Sequence, residues 1–139
     1  MYSEKQGVLA SMTSGRGRLN RLAYLGRGIL LGAISFVLFT IAYSIADDGM
    51  IIKSIGLLLV VPEFFLNQQR LHDIGTCMWI APLYAALNVV GVLTTNYSDI
   101  ESGGLLTPLN IAMIVMGCYL LFKKGQPGEN EYGPDPLAK

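Results

Sequence analysis

Glu63, Asn67 and Arg70 recur at i, i+4 and i+7, a spacing that sets a carboxylate, an amide and a guanidinium on one helical face. Arg70 also opens the run Arg70-Leu71-His72-Asp73, which adds an imidazole and a second carboxylate. Such groups can form a buried ionic cluster, relay a proton or supply part of a metal site, because a histidine oriented by a carboxylate is a recurring functional unit. Adjacent helical residues point about 100° apart, however, so His72 and Asp73 do not face each other. Structural hydrogen bonding is the plainer reading of that pair. Arg18 and Arg21 precede the first apolar run, where arginines ordinarily set topology and touch lipid phosphates; they are also candidate partners of Asp73 or Glu63. The candidate polar cluster is therefore Arg18, Arg21, Glu63, Asn67, Arg70, His72 and Asp73.

The main enzyme classes lack their signatures. There is no phosphate-binding glycine loop, nucleophile elbow, H-E-x-x-H or acidic dyad, and no catalytic residue is assigned. Two cysteines without a C-x-x-C and one histidine give no basis for a structural zinc, so neither metal nor cofactor is expected. Cys77 and Cys118 read as small apolar packing residues. The basic N-terminal segment has no interleaved aromatics, which argues against nucleic acid. A lipid-modifying enzyme built on His72 and Asp73 is the weaker alternative to a non-enzymatic protein.

Four apolar stretches must position these groups: residues 28–46, 51–69, 77–95 and 105–122. Each is close to the ~17–25 residues that cross a bilayer core of roughly 30 Å. Hydrophobic residues make up 52% and charged residues 14% of the 139, and mean hydropathy is +0.46, beyond what a soluble domain this small can bury. The second stretch carries Lys53 at one end, where it can snorkel outward. Glu63 lies inside it, about six residues or roughly 9 Å from the inner end, where a carboxylate needs a partner. Pro82 and Pro108 fall in first helical turns, whereas Pro62 is interior. A G-x-x-x-G step at Gly28 and Gly32 suggests close helix packing.

The expected fold is an all-α, integral membrane four-helix bundle. With four spans, Lys5, Arg16, Arg18, Arg21, Arg27, Arg70, Lys123, Lys124 and Lys139 share one side, and Lys53 alone lies on the other. The positive-inside rule then puts both termini in the cytoplasm. Trp79 and Tyr24 near the inner interface, with Tyr43 and Tyr97 near the outer, suit an aromatic belt. The first apolar run ends in Asp47-Asp48-Gly49 without a small-residue cleavage site, so it reads as a retained helix rather than a signal peptide. Residues 1–15 read as a loose or interfacial tail and 16–122 as the membrane domain. Residues 123–139 form a Gly/Pro-rich cytoplasmic tail in which Asn130 and Tyr132 are candidate docking residues.

Three of these segments carry a resemblance. Gly17-Arg18-Leu19-Asn20-Arg21-Leu22-Ala23-Tyr24 resembles the opening motif of the domain-of-unknown-function 805 family of small bacterial inner-membrane proteins. Arg70-Leu71-His72-Asp73-Ile74-Gly75 followed by Trp79 is similar to its second motif, and Gly125 to Pro136, with Asn130, Tyr132 and Pro134-Asp135-Pro136, to its tail. Cys77-Met78 stands where the family usually has Ser-Gly. The resemblance implies a multi-pass protein of the bacterial inner membrane and no established reaction.

Two functional classes follow. In the first, the cytoplasmic polar face binds a protein partner or anionic phospholipid. In the second, the chain forms a homo-oligomeric channel or transporter for a cation, proton or amphiphile that uses Glu63, since four helices alone enclose no pore.

Overall fold

Helix α2 (Arg21–Ile45) starts where Asn20 can cap it, the Asn20 Oδ1 accepting from the Ala23 N–H at 2.9 Å. The computed structural model describes residues 7–45, 49–94 and 108–138. Thr95, Tyr97, Asp47-Asp48 and residues 105–107 therefore lie outside the described residues. Ahead of α2 comes α1 (Val8–Thr13), and after it α3 (Gly49–Ile74), α4 (Ile80–Thr94) and α5 (Pro108–Phe122). No strand occurs among the described residues.

Local chemistry explains the boundaries. Helix α3 runs on through Pro62 and stops at Gly75, whose φ of +70° favours a residue without a Cβ. There the Thr76 N–H returns to the Leu71 carbonyl at 3.4 Å, the six-residue closure of a Schellman-type stop. The described part of α5 opens on Pro108, whose missing N–H is tolerated in a first helical turn.

Helix α3 is the organising element and packs against each of the other four. Burial is concentrated at its C-terminal end. Leu71, Ile74, Ala81 and Leu120 form one cluster, and Met12, Leu19 and Leu66 a second, with Tyr24 packed against both. At the far end, Gly56 lets the Val92 side chain approach to 3.0 Å from where a Cβ would stand, and Lys53 Nζ donates to the Leu93 carbonyl at 3.2 Å.

Elsewhere the helices are apolar on the outside. Helices α2 and α3 are long and apolar enough to cross a membrane, yet only 6% and 17% of their apolar windows are buried. A core helix of a soluble protein hides such residues, so this surface is suited to a lipid environment. Hydroxyls on these helices fold back onto their own backbone: Ser35 to Leu31 and Thr40 to Phe36 at 2.8 Å, Ser54 to Met50 at 2.9 Å.

Part of the N-terminal segment, expected as a loose or interfacial tail, is docked. Val8–Thr13 is helical, and Ser11 and Met12 are buried against the end of α3. Within the chain the Gly28/Gly32 step does not pack closely either: a Cβ added at either glycine would meet nothing within 4 Å. Cys77 and Cys118 are exposed rather than packed.

Candidate functional site

The C-terminal turn of α3 and the end of α5 each leave backbone carbonyls without intrahelical donors, and helix C-termini carry partial negative charge. Two arginines and the tail supply what is missing. Arg70 is fully buried; its Nε–H donates to the Leu120 carbonyl at 2.7 Å, its Nη2 to the Lys123 carbonyl, and its Nη1 to the Leu19 carbonyl at 3.1 Å. It caps α5 and ties the segment before α2 to the same point. The α3 carbonyls of His72 and Asp73 accept from Asn130 Nδ2 at 3.0 Å and from the Gln126 N–H at 2.7 Å.

Asp73 binds the two cations. Its Oδ2 accepts from Arg70 Nη1, one turn back on the same helix. Its Oδ1 accepts from Arg18 Nε at 3.3 Å and Nη2 at 3.2 Å. The rest of the Arg18 guanidinium points into the tail, donating from Nη2 to the Gln126 carbonyl and from Nη1 to the Gly128 carbonyl, both at 2.5 Å. Two cations against one anion leave a positive charge that these carbonyl dipoles solvate. Gly125 makes the approach possible, because a Cβ there would collide with the Asp73 carboxylate. Gly75 does the same for the Gln126 side chain.

His72 turns away from Asp73. Its Nδ1 lies 2.9 Å from the Gly17 carbonyl, so that nitrogen carries the proton, and its ring stacks on Tyr132 with centroids 3.9 Å apart and planes 3° from parallel. Asn130 Oδ1 in turn accepts from the Tyr132 N–H at 3.0 Å. The arrangement clamps an ordered tail onto the α3 end.

The seven residues of the sequence-derived cluster thus fall into three groups. Arg18, Arg70 and Asp73 share one buried knot, with His72 at its side. Asn67 lies one turn below, its Oδ1 accepting from the Tyr24 hydroxyl at 2.8 Å, and Glu63 another turn below, where it interacts with Tyr84 of α4. The salt bridges among the described residues join Arg18 and Arg70 to Asp73, and neither arginine reaches Glu63. Arg21 is exposed on the rim. Two participants escape sequence reasoning. Gln69 is wholly buried and donates to the Ser11 carbonyl at 2.9 Å and to that of Ser14, while the Leu19 N–H donates to the Gln69 carbonyl at 3.1 Å. Gln126 holds Asn130 at 3.1 Å through Oε1. For Gln69 a signal was present in Asn67-Gln68-Gln69-Arg70, a polar run closing an apolar stretch; Gln126 carries none.

Chemically, the knot is consumed by structure. Each charged group in it is bonded to protein. Neither a curated protein nor a solved structure matches the chain. A family profile does match, over residues 12–134, and takes in all three segments that meet at the knot. The chain belongs to the family described as protein of unknown function DUF805.

Proposed function

We propose that this is a non-enzymatic, multi-pass protein of the bacterial inner membrane, in which α2, α3, α4 and α5 form a four-helix bundle with both termini in the cytoplasm. The apolar outer surface of α2 and α3 supports the membrane setting, and the distribution of Lys and Arg supports the orientation. The described parts of α4 and α5, at 15 residues each, cover about 22 Å at 1.5 Å per residue. Leu105 and Leu106 lie just before Thr107 and α5 in the sequence and lengthen the apolar run.

The knot builds a rigid cytoplasmic platform, and its task is to hold anionic phospholipid headgroups. The observation that carries this reading is the rim around it. Arg16, Arg21, Lys123 and Lys124 are all exposed there, while the nearby Asp73 is internally neutralised. Each basic residue near an anionic surface contributes about 1 kcal/mol. The test is native mass spectrometry of protein taken from vesicles of equal phosphatidylglycerol and phosphatidylcholine. Retained lipid enriched in phosphatidylglycerol, and lost on replacing the four rim residues by Gln, is the expected result. Equal retention of both lipids would refute lipid recognition and turn attention to a protein partner.

A second reading rests on Glu63, a carboxylate half-buried within a span. A homo-oligomer could carry a proton or cation past it. Under that reading Glu63→Gln abolishes pH-driven flux; under the platform reading no such flux exists to lose.

A further inference from the structure

A groove of about 410 Å³ opens between α2, α3 and α5, lined by Gly28 and Gly32 of α2, Glu63 and Asn67 of α3, and Gly117 of α5. Its depth comes from missing side chains, since a Cβ at any of these three glycines would enter open space. Its walls are mostly leucine and isoleucine, with Tyr24 and Ser35 at its two ends along α2. Asn67 is 2% exposed, and its Nδ2 has no hydrogen-bond partner among the described residues although its Oδ1 is engaged by Tyr24. A buried amide N–H pair on the lining of a largely apolar groove calls for an acceptor, and none among the described residues is bonded to it.

We infer that this groove binds one acyl chain of a membrane lipid, with the lipid's ester carbonyl accepting from Asn67 Nδ2. The inference rests on the membrane setting proposed above. Along α2 the groove runs from Tyr24 to Ser35, about 16 Å at 1.5 Å per residue and close to half of the roughly 30 Å hydrocarbon core. That is the depth of one leaflet. Asn67 lies three residues, about 4.5 Å along the helix, below Arg70 and the charged end, the level at which a lipid's ester groups sit beneath its headgroup.

The experiment reconstitutes the full chain in phosphatidylcholine vesicles doped with phosphatidylcholine bearing a diazirine on its acyl chain, and maps photolabelled residues by peptide mass spectrometry. Label concentrates on Gly28, Gly32 and Leu59 above the outward-facing Phe36 and Val115. Gly32→Leu, which fills the groove, removes that concentration, and Gly32→Ala, which strengthens the helix, reduces it. Asn67→Leu weakens it about fivefold, the value of one hydrogen bond. Equal labelling of groove and outer faces would overturn the inference while leaving the membrane setting intact. Crosslinks between chains through Gly32 would overturn it in favour of a second copy. Helices without label would remove the membrane setting itself.

Discussion

Replacing Asp73 by Asn preserves the side chain's shape and removes the anion that two buried arginines share. The side chains of Arg18, Arg70 and Asp73 are 1%, 0% and 6% exposed, so water cannot take over the lost charge. An amide offers one acceptor oxygen where the carboxylate has two. Whichever way it turns, its NH2 meets an N–H of Arg18 or of Arg70, and one ion pair becomes a contact between donors. Breaking a buried pair by removing one partner costs ~3–5 kcal/mol. The carbonyls of Leu19, Leu120, Gln126 and Gly128 continue to solvate the guanidiniums, which places the expected loss at the lower end, about 3 kcal/mol. At 1.4 kcal/mol per tenfold, the population with an undocked tail rises by about two powers of ten. Trypsin reads this directly at Lys123 and Lys124, because cleavage tracks the open population when reclosing is fast. Asp73→Asn protein that keeps its helical content and is cleaved at the parent rate would refute the reasoning.

The same protease assay tests Gly125→Ala, whose Cβ would collide with the Asp73 carboxylate; overpacking of about 1–3 kcal/mol should expose the tail, and unchanged protection would contradict the close approach. Tyr132→Ala loses the stack on His72, worth ~0.5–1.5 kcal/mol in denaturation experiments, whereas Tyr132→Phe keeps the ring and should match the parent. Asp135 accepts from the Gly128 N–H at 2.9 Å and the Leu137 N–H at 2.8 Å, bonds that hold its pKa below the usual carboxylate range. Its contribution to tail order is therefore full above the unfolded value of about 3.9 and fades as pH falls through the lower folded value. Amide exchange at Gly128, corrected for intrinsic rates, should stay flat from neutral pH to about 5 and accelerate below about 4; an Asp135→Asn protein that still shows this acid step would rule Asp135 out as its source.

Much of the helical layout was legible because it depends on local pattern. The apolar length of α2 and α3 and the stop at Gly75 follow from composition and a left-handed glycine, each readable at its own position. Which charges meet is a different kind of question. Arg18, Arg21 and Arg70 were all plausible partners for either carboxylate by spacing, and the choice of Asp73 is made by the ends of α3 and α5, whose unpaired carbonyls draw the guanidiniums toward them. Glu63 then meets Tyr84, a residue on another helix that no spacing rule links to it. The docking of Val8–Thr13 through Gln69 was hidden for a similar reason: a six-residue helix has little propensity of its own, and the buried amide on α3 and the packing of Met12 on Leu66 secure it. Likewise Gly28 and Gly32 have the spacing of a packing step, but spacing cannot reveal that the facing space is left open.

The central claim is that the knot and both chain ends share the cytoplasmic face of a multi-pass bundle. Cysteine accessibility in intact cells tests it most directly, in a background where Cys77 and Cys118 are replaced by Ser. A single cysteine at Glu129 in the tail should react with a membrane-impermeant maleimide only after the inner membrane is permeabilised, and one at Ser98, between the third and fourth apolar stretches, before it. Labelling of Glu129→Cys in cells whose inner membrane is intact would contradict the account.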